Sequence, residues 1–153
     1  MIEQKRLDSW YNQHAEAFNQ FLHIYQQQVF LHKQFTKQQL RSFWAPNKPD
    51  LHHKMQQQIE ISTQIHQLLT QEITLLENQS TPVEQLTQRW QTMMASCKAA
   101  ELNVNVLSSQ TYIKDNTKLL EQLNLLTRKL KTLAQNYQHE RQALISSQKQ
   151  SEK

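Results

Sequence analysis

Residues 119–133 read LLEQLNLLTRKLKTL. Leu119, Leu123, Leu126, Leu130 and Leu133 recur in alternating steps of four and three, the spacing that keeps one helix stripe against a neighbouring helix. The pattern continues in both directions. Tyr112 and Asn116 extend it toward the N-terminus, and Tyr137, Glu140 and Leu144 toward the C-terminus. A long helix over roughly 110–147 follows, with Ser108, Ser109 and Thr111 as candidate caps. Its polar members, Asn116 and Glu140, sit in a seam that is otherwise apolar. Residues 148–153 are expected to form a disordered tail.

The rest of the chain supports the same class. It has 153 residues, no glycine and 26 glutamines, and its aliphatic and aromatic share is 37%. Phosphate-cradling loops, dinucleotide fingerprints and nucleophile elbows need glycine where the backbone turns with positive φ or approaches a ligand. Tight hairpins usually need it as well. The common nucleotide-binding and hydrolase motifs are therefore excluded, and a sheet protein is not expected. Gln, Leu, Lys and Glu favour helix.

Apolar residues at helical spacing from Leu7 to Phe43 predict a first helix near 2–43, with a possible kink at the Gln26–Gln28 run. WAPNKPD (44–50) makes a corner, because two prolines close together stop a helix. Asp50 can cap a second helix near 51–77. Thr81, Pro82 and Glu84 form a capping box with a proline start, which opens a third helix near 82–106. The fold expected is all-α, an antiparallel bundle of about four helices with long first and last members, forming one domain over 1–147.

Chemistry-bearing patterns are sparse. Seven histidines are present, but no His-Glu-x-x-His or Glu-x-x-His pattern, and Cys97 is the single cysteine. No metal site, cofactor or catalytic residue is expected, and Cys97 reads as a small core residue. The chain begins without an apolar signal core and has no apolar window long enough to span a bilayer, so a cytoplasmic location away from membranes is expected.

Charge is more informative. The net charge of +4 is uneven, at +3 for residues 1–54, −3 for 55–107 and +4 for 108–153. Lys33, Lys37 and Arg41 follow one another at i, i+4 and i+8, with no acid between Glu16 and Asp50. On a continuous helix they make a basic ridge, which reads as a solvated face, as a partner of the acidic second and third helices, or as a binding surface. Phe30, Phe35, Phe43 and Trp44 lie close to it in sequence, so a ridge with Trp44 beside it suits phosphates with stacked bases, or an acidic peptide with an apolar anchor. Arg128, Lys129 and Lys131 form a second basic set, flanking the leucine seam, with no acid between Glu121 and Glu140.

A small, glycine-free, basic, all-helical chain with a long basic last helix resembles the primosomal replication protein N″ (PriC) family of bacteria. The resemblance implies a non-enzymatic role in replication restart, with single-stranded DNA-binding protein and single-stranded or forked DNA as partners. It assigns no individual residue. The alternative is a helical protein–protein interaction scaffold or chaperone-like protein with no nucleic-acid role.

Overall fold

The computed structural model describes residues 2–152, with side chains from Gln4 onward. It is an all-α helical bundle, with no strand among the described residues. Five helices follow in order: α1 (Ile2–Gln27), α2 (Leu31–Gln34), α3 (Lys37–Ser42), α4 (Pro49–Ala99) and α5 (Asn103–Ser151). The two long helices α4 and α5 pack against each other as an antiparallel pair. The leucine seam is the reason. Leu119, Leu123, Leu126, Leu130, Leu133, Tyr137 and Leu144 are all buried, and so are Asn116 and Glu140.

Three boundaries differ from those expected. The predicted first helix is broken: α1 stops at Gln27, and Phe30 and Phe35 take extended backbone on either side of α2. Burial decides this. Phe30 turns inward and meets Tyr25 and Tyr137 edge-on or tilted, with ring centroids 5.6 and 5.1 Å away. Val29 beside it is left 51% exposed. Thr36 then restarts the helix with a capping box. Its hydroxyl accepts from Gln39 N at 3.1 Å, and its own N–H donates to Gln39 Oε1 at 2.9 Å.

The second and third predicted helices are one. α4 starts at Pro49, with Asp50 inside the first turn rather than before it, and continues through Pro82. Thr81 is therefore not a cap. Leu76 and Val83 on either side of it are 1% and 0% exposed, and keeping both in the core requires unbroken helix. A Pro-start signal is local, and burial over a whole helix face outweighs it.

The last helix begins early. The α4 end is closed by Leu102 N–H donating to Cys97 O at 2.8 Å and Glu101 N–H to Lys98 O at 3.1 Å, a Schellman closure. Glu101 sits at φ 61°, the left-handed position that glycine usually fills. α5 resumes at Asn103 and runs to Ser151, into the stretch expected to be a tail. Ser147 is 3% exposed and accepts a hydrogen bond from Trp44 Nε1 at 2.8 Å.

The chain gathers into two compact units. Unit 1 comprises residues 1–18 and 73–129, and unit 2 residues 19–72 and 130–153. Unit 1 buries Leu7, Leu76, Val83, Trp90 and Cys97, and Trp90 stacks on Tyr112 with centroids 4.4 Å apart. Unit 2 centres on Leu40, Trp44, Met55 and Leu144, with Leu31, Phe35, Phe43 and Ile59 packed around them.

Candidate polyanion-binding site

The site grows from Glu140. This carboxylate is 0% exposed, and four donors meet it. Leu31 N–H reaches Oε2 at 2.6 Å, His32 N–H reaches Oε1 at 2.9 Å, His32 Nδ1 lies 3.0 Å from Oε1, and Gln58 Nε2 donates at 2.9 Å. Leu31 and His32 open α2, whose preceding residue, Phe30, offers no side-chain cap. Glu140 supplies that cap from α5, and the negative charge suits a helix N-terminus. A buried carboxylate is retained when its lone pairs are filled in this way.

The same contacts aim His32. With Nδ1 facing the carboxylate as donor, Nε2 is the remaining polar atom of a ring that lines a cleft of about 520 Å³. The cleft is walled by His32 and Lys37 on one side, and by His139, Gln142, Ser146 and Gln150 from α5. His32 and His139 meet edge to face, with centroids 6.4 Å apart. No carboxylate lines the cleft. Elsewhere in unit 2, burial and then the neighbouring Tyr25 push the Tyr137 phenol up to about 12.

The expected site residues are distributed as follows. Lys33, Lys37 and Arg41 are exposed, but they do not form one helical ridge, because the extended backbone at Phe35 and Thr36 separates Lys33 from the other two. Lys37 and Arg41 keep their i, i+4 spacing on α3. Lys33 Nζ lies 5.1 Å from the Phe30 ring centroid, and Arg41 donates to Gln150 Oε1 at 2.9 Å. Trp44 is corrected outright as a stacking surface: it is 4% exposed and part of the unit 2 core. Arg128, Lys129 and Lys131 are exposed on α5. Arg128 and Lys129 belong to unit 1, where Lys129 Nζ lies 6.0 Å from the Phe18 ring, and Lys131 belongs to unit 2.

Sequence reasoning missed His32, His139 and Glu140 as a set. The one available signal was a glutamate at a seam position, since an acid in a leucine stripe needs a buried partner. Among the described residues no group of three or more His, Cys, Asp or Glu could hold a metal ion. No described helix is long and apolar enough to cross a membrane.

The charge asymmetry is sharper in space than along the chain. Unit 2 contains nine Lys and Arg against five Asp and Glu, whereas unit 1 contains eight of each. The whole net charge of +4 therefore belongs to unit 2, together with six of the seven histidines. No protein-family model, curated protein or solved structure matches the chain, so these charges and contacts are the basis for reading its function.

Proposed function

We propose that the protein is a non-catalytic adaptor that grips an acidic partner through unit 2. In its most concrete form it is a replication-restart accessory protein that contacts single-stranded DNA-binding protein and single-stranded or forked DNA. The observation that carries this reading is the confinement of the net positive charge to unit 2, around a cleft that no carboxylate lines. Such a surface attracts polyanions at long range and binds them by releasing their counterions. Lys37 and Arg41 supply cations on one helix face, and His32 and His139 add ring N–H donors.

The test is the Lys33→Ala, Lys37→Ala, Arg41→Ala variant, titrated with single-stranded DNA, forked DNA and the acidic tail of single-stranded DNA-binding protein at two salt concentrations. Exposed substitutions change stability little, about 0.5 kcal/mol or less each. On single strands each lost phosphate contact lowers the salt slope by roughly 0.7. Equal binding by parent and variant, or no binding by the parent, overturns the reading. The scaffold reading then takes its place. It has one observation in its favour: Leu102, Val104 and Leu107 in unit 1 are 50%, 76% and 64% exposed, an apolar cluster of the kind that meets another protein.

A further inference from the structure

The three tryptophans are placed differently. Trp44 and Trp90 are buried, while Trp10 on α1 is only half-buried. Its indole borders two grooves within unit 1. One, of about 370 Å³, is lined beside it by Arg6, Gln79, Gln85, Leu86 and Arg89. The other, of about 360 Å³, is lined by Lys5, Arg6, Ser9 and Gln13. No carboxylate lines either groove. His14, one turn further along α1, rests against the indole with centroids 4.3 Å apart and planes at 44°, which steadies the ring.

We propose that Trp10 is a stacking platform for a base of a single-stranded nucleic acid, with Lys5 and Arg6 taking the neighbouring phosphates. The inference shares its ligand class with the function proposed above and rests on that reading, but it uses other residues, in the other unit. An indole that is partly open to water, with grooves beside it, can be covered by any base, because every base has a π face. Arg6 stands one helical turn before Trp10 and borders both grooves, with Arg89 also lining the first and Lys5 the second, so a strand passing the ring meets cations in either groove. Gln13, Gln79 and Gln85 offer amide donors and acceptors to base edges. Unit 1 has no net charge, so this contact draws on stacking more than on phosphate attraction. An acidic peptide with an apolar anchor would use the same arginines, but an anchor needs an enclosed pocket. The two grooves instead flank the ring as open channels.

The experiment follows the three indole N–H resonances of the full chain by NMR, the Trp10 signal being the one lost in Trp10→Phe. The probes are oligo(dT), an abasic oligomer of equal length and an acidic peptide ending in phenylalanine. The Trp10 signal is expected to shift with oligo(dT) and not with the abasic oligomer. Trp10→Ala is expected to weaken oligo(dT) binding by about 5- to 30-fold and to leave abasic binding unchanged, with Trp10→Phe recovering most of the loss. Lys37→Ala with Arg41→Ala, by contrast, weakens both oligomers alike. If the parent binds oligo(dT) while the Trp10 signal stays still, the platform is wrong and the unit 2 reading survives. If the parent binds neither oligomer, both fall. A shift with the acidic peptide alone assigns the groove to a protein partner and overturns the platform.

Discussion

Asn116 and Glu140 both interrupt the α5 leucine seam with a polar group, one in each unit, and the two units treat them differently. In unit 1, Asn116 Oδ1 accepts one hydrogen bond, from Gln4 Nε2 at 2.8 Å, while Asn116 Nδ2 and Gln4 Oε1 remain buried without partners. In unit 2, Glu140 is met by four donors. The amide pair joins two helices that would pack in any case. The carboxylate instead holds open a break in the chain, because α2 owes its start to it. A buried polar group is dispensable where it only matches a partner, and indispensable where backbone donors depend on it.

The largest expected effect tests that contrast directly. Glu140→Ala strands the Leu31 and His32 amides, while Gln58 Nε2 keeps only its bond to Val29 O, and the change is expected to cost about 3–5 kcal/mol in urea denaturation. Hydrogen exchange should show lost protection at Leu31 and His32, with the amides of unit 1 little changed. Equal loss in both units would break the comparison.

Pro82 in unit 1 gives the next effect, with the opposite sign. Inside α4 the proline supplies no N–H to the Asn78 carbonyl, so Pro82→Ala is expected to stabilise by up to about 3 kcal/mol. Thr81→Ala should then leave the melting temperature unchanged. If Pro82→Ala is neutral and Thr81→Ala costs about 1 kcal/mol, a helix starts at Pro82 after all.

Tyr137 adds a pH dependence to unit 2. Its phenol is raised from 10.0 to about 12 by burial and then by Tyr25. The folded state therefore holds its proton more tightly than the unfolded chain. The associated stability is complete below pH 10 and is lost as pH rises toward 12, by roughly 2–3 kcal/mol. Tyr137→Phe should abolish that part of the slope. At neutral pH it should cost less than about 1 kcal/mol, since Tyr137 Oη has no hydrogen-bond partner among the described residues.

The smallest effect sharpens the view of unit 1. Replacing Gln4 and Asn116 together by leucine removes two unpaired buried atoms and two hydrogen bonds, from Gln4 Nε2 to Asn116 Oδ1 and to Asp8 Oδ1. Stability is expected to stay level or rise by about 1 kcal/mol, read from the urea midpoint. A loss of several kcal/mol would show that the amide pair matters as much as Glu140.

The seam from Asn116 to Leu144 was legible in the residues alone, including its two polar members, because a period of three and four over many turns has a single helical reading. The corner at residues 44–50 was legible for the same reason: prolines act locally. The capping box at Thr36 and Gln39 lies inside the span that periodicity reads as one helix, and its Thr-x-x-Gln pattern differs little from that of Thr81 and Glu84, so local sequence does not tell which of the two is used. The basic residues were legible as charges but not as a surface. Whether Lys33 shares a ridge with Lys37 depends on a break that Glu140, more than a hundred residues away, makes possible.

By itself, then, the sequence determined the helical class, the leucine seam, the absence of glycine-dependent sites and the positive charge. Each of these depends on composition or on repeats within a few turns. Tertiary structure decided which caps are used, that Trp44 lies in the core while Trp10 borders open grooves, and that the net charge belongs to one unit. Those outcomes depend on burial and on long-range hydrogen bonds, whose free energies exceed the local preferences they override.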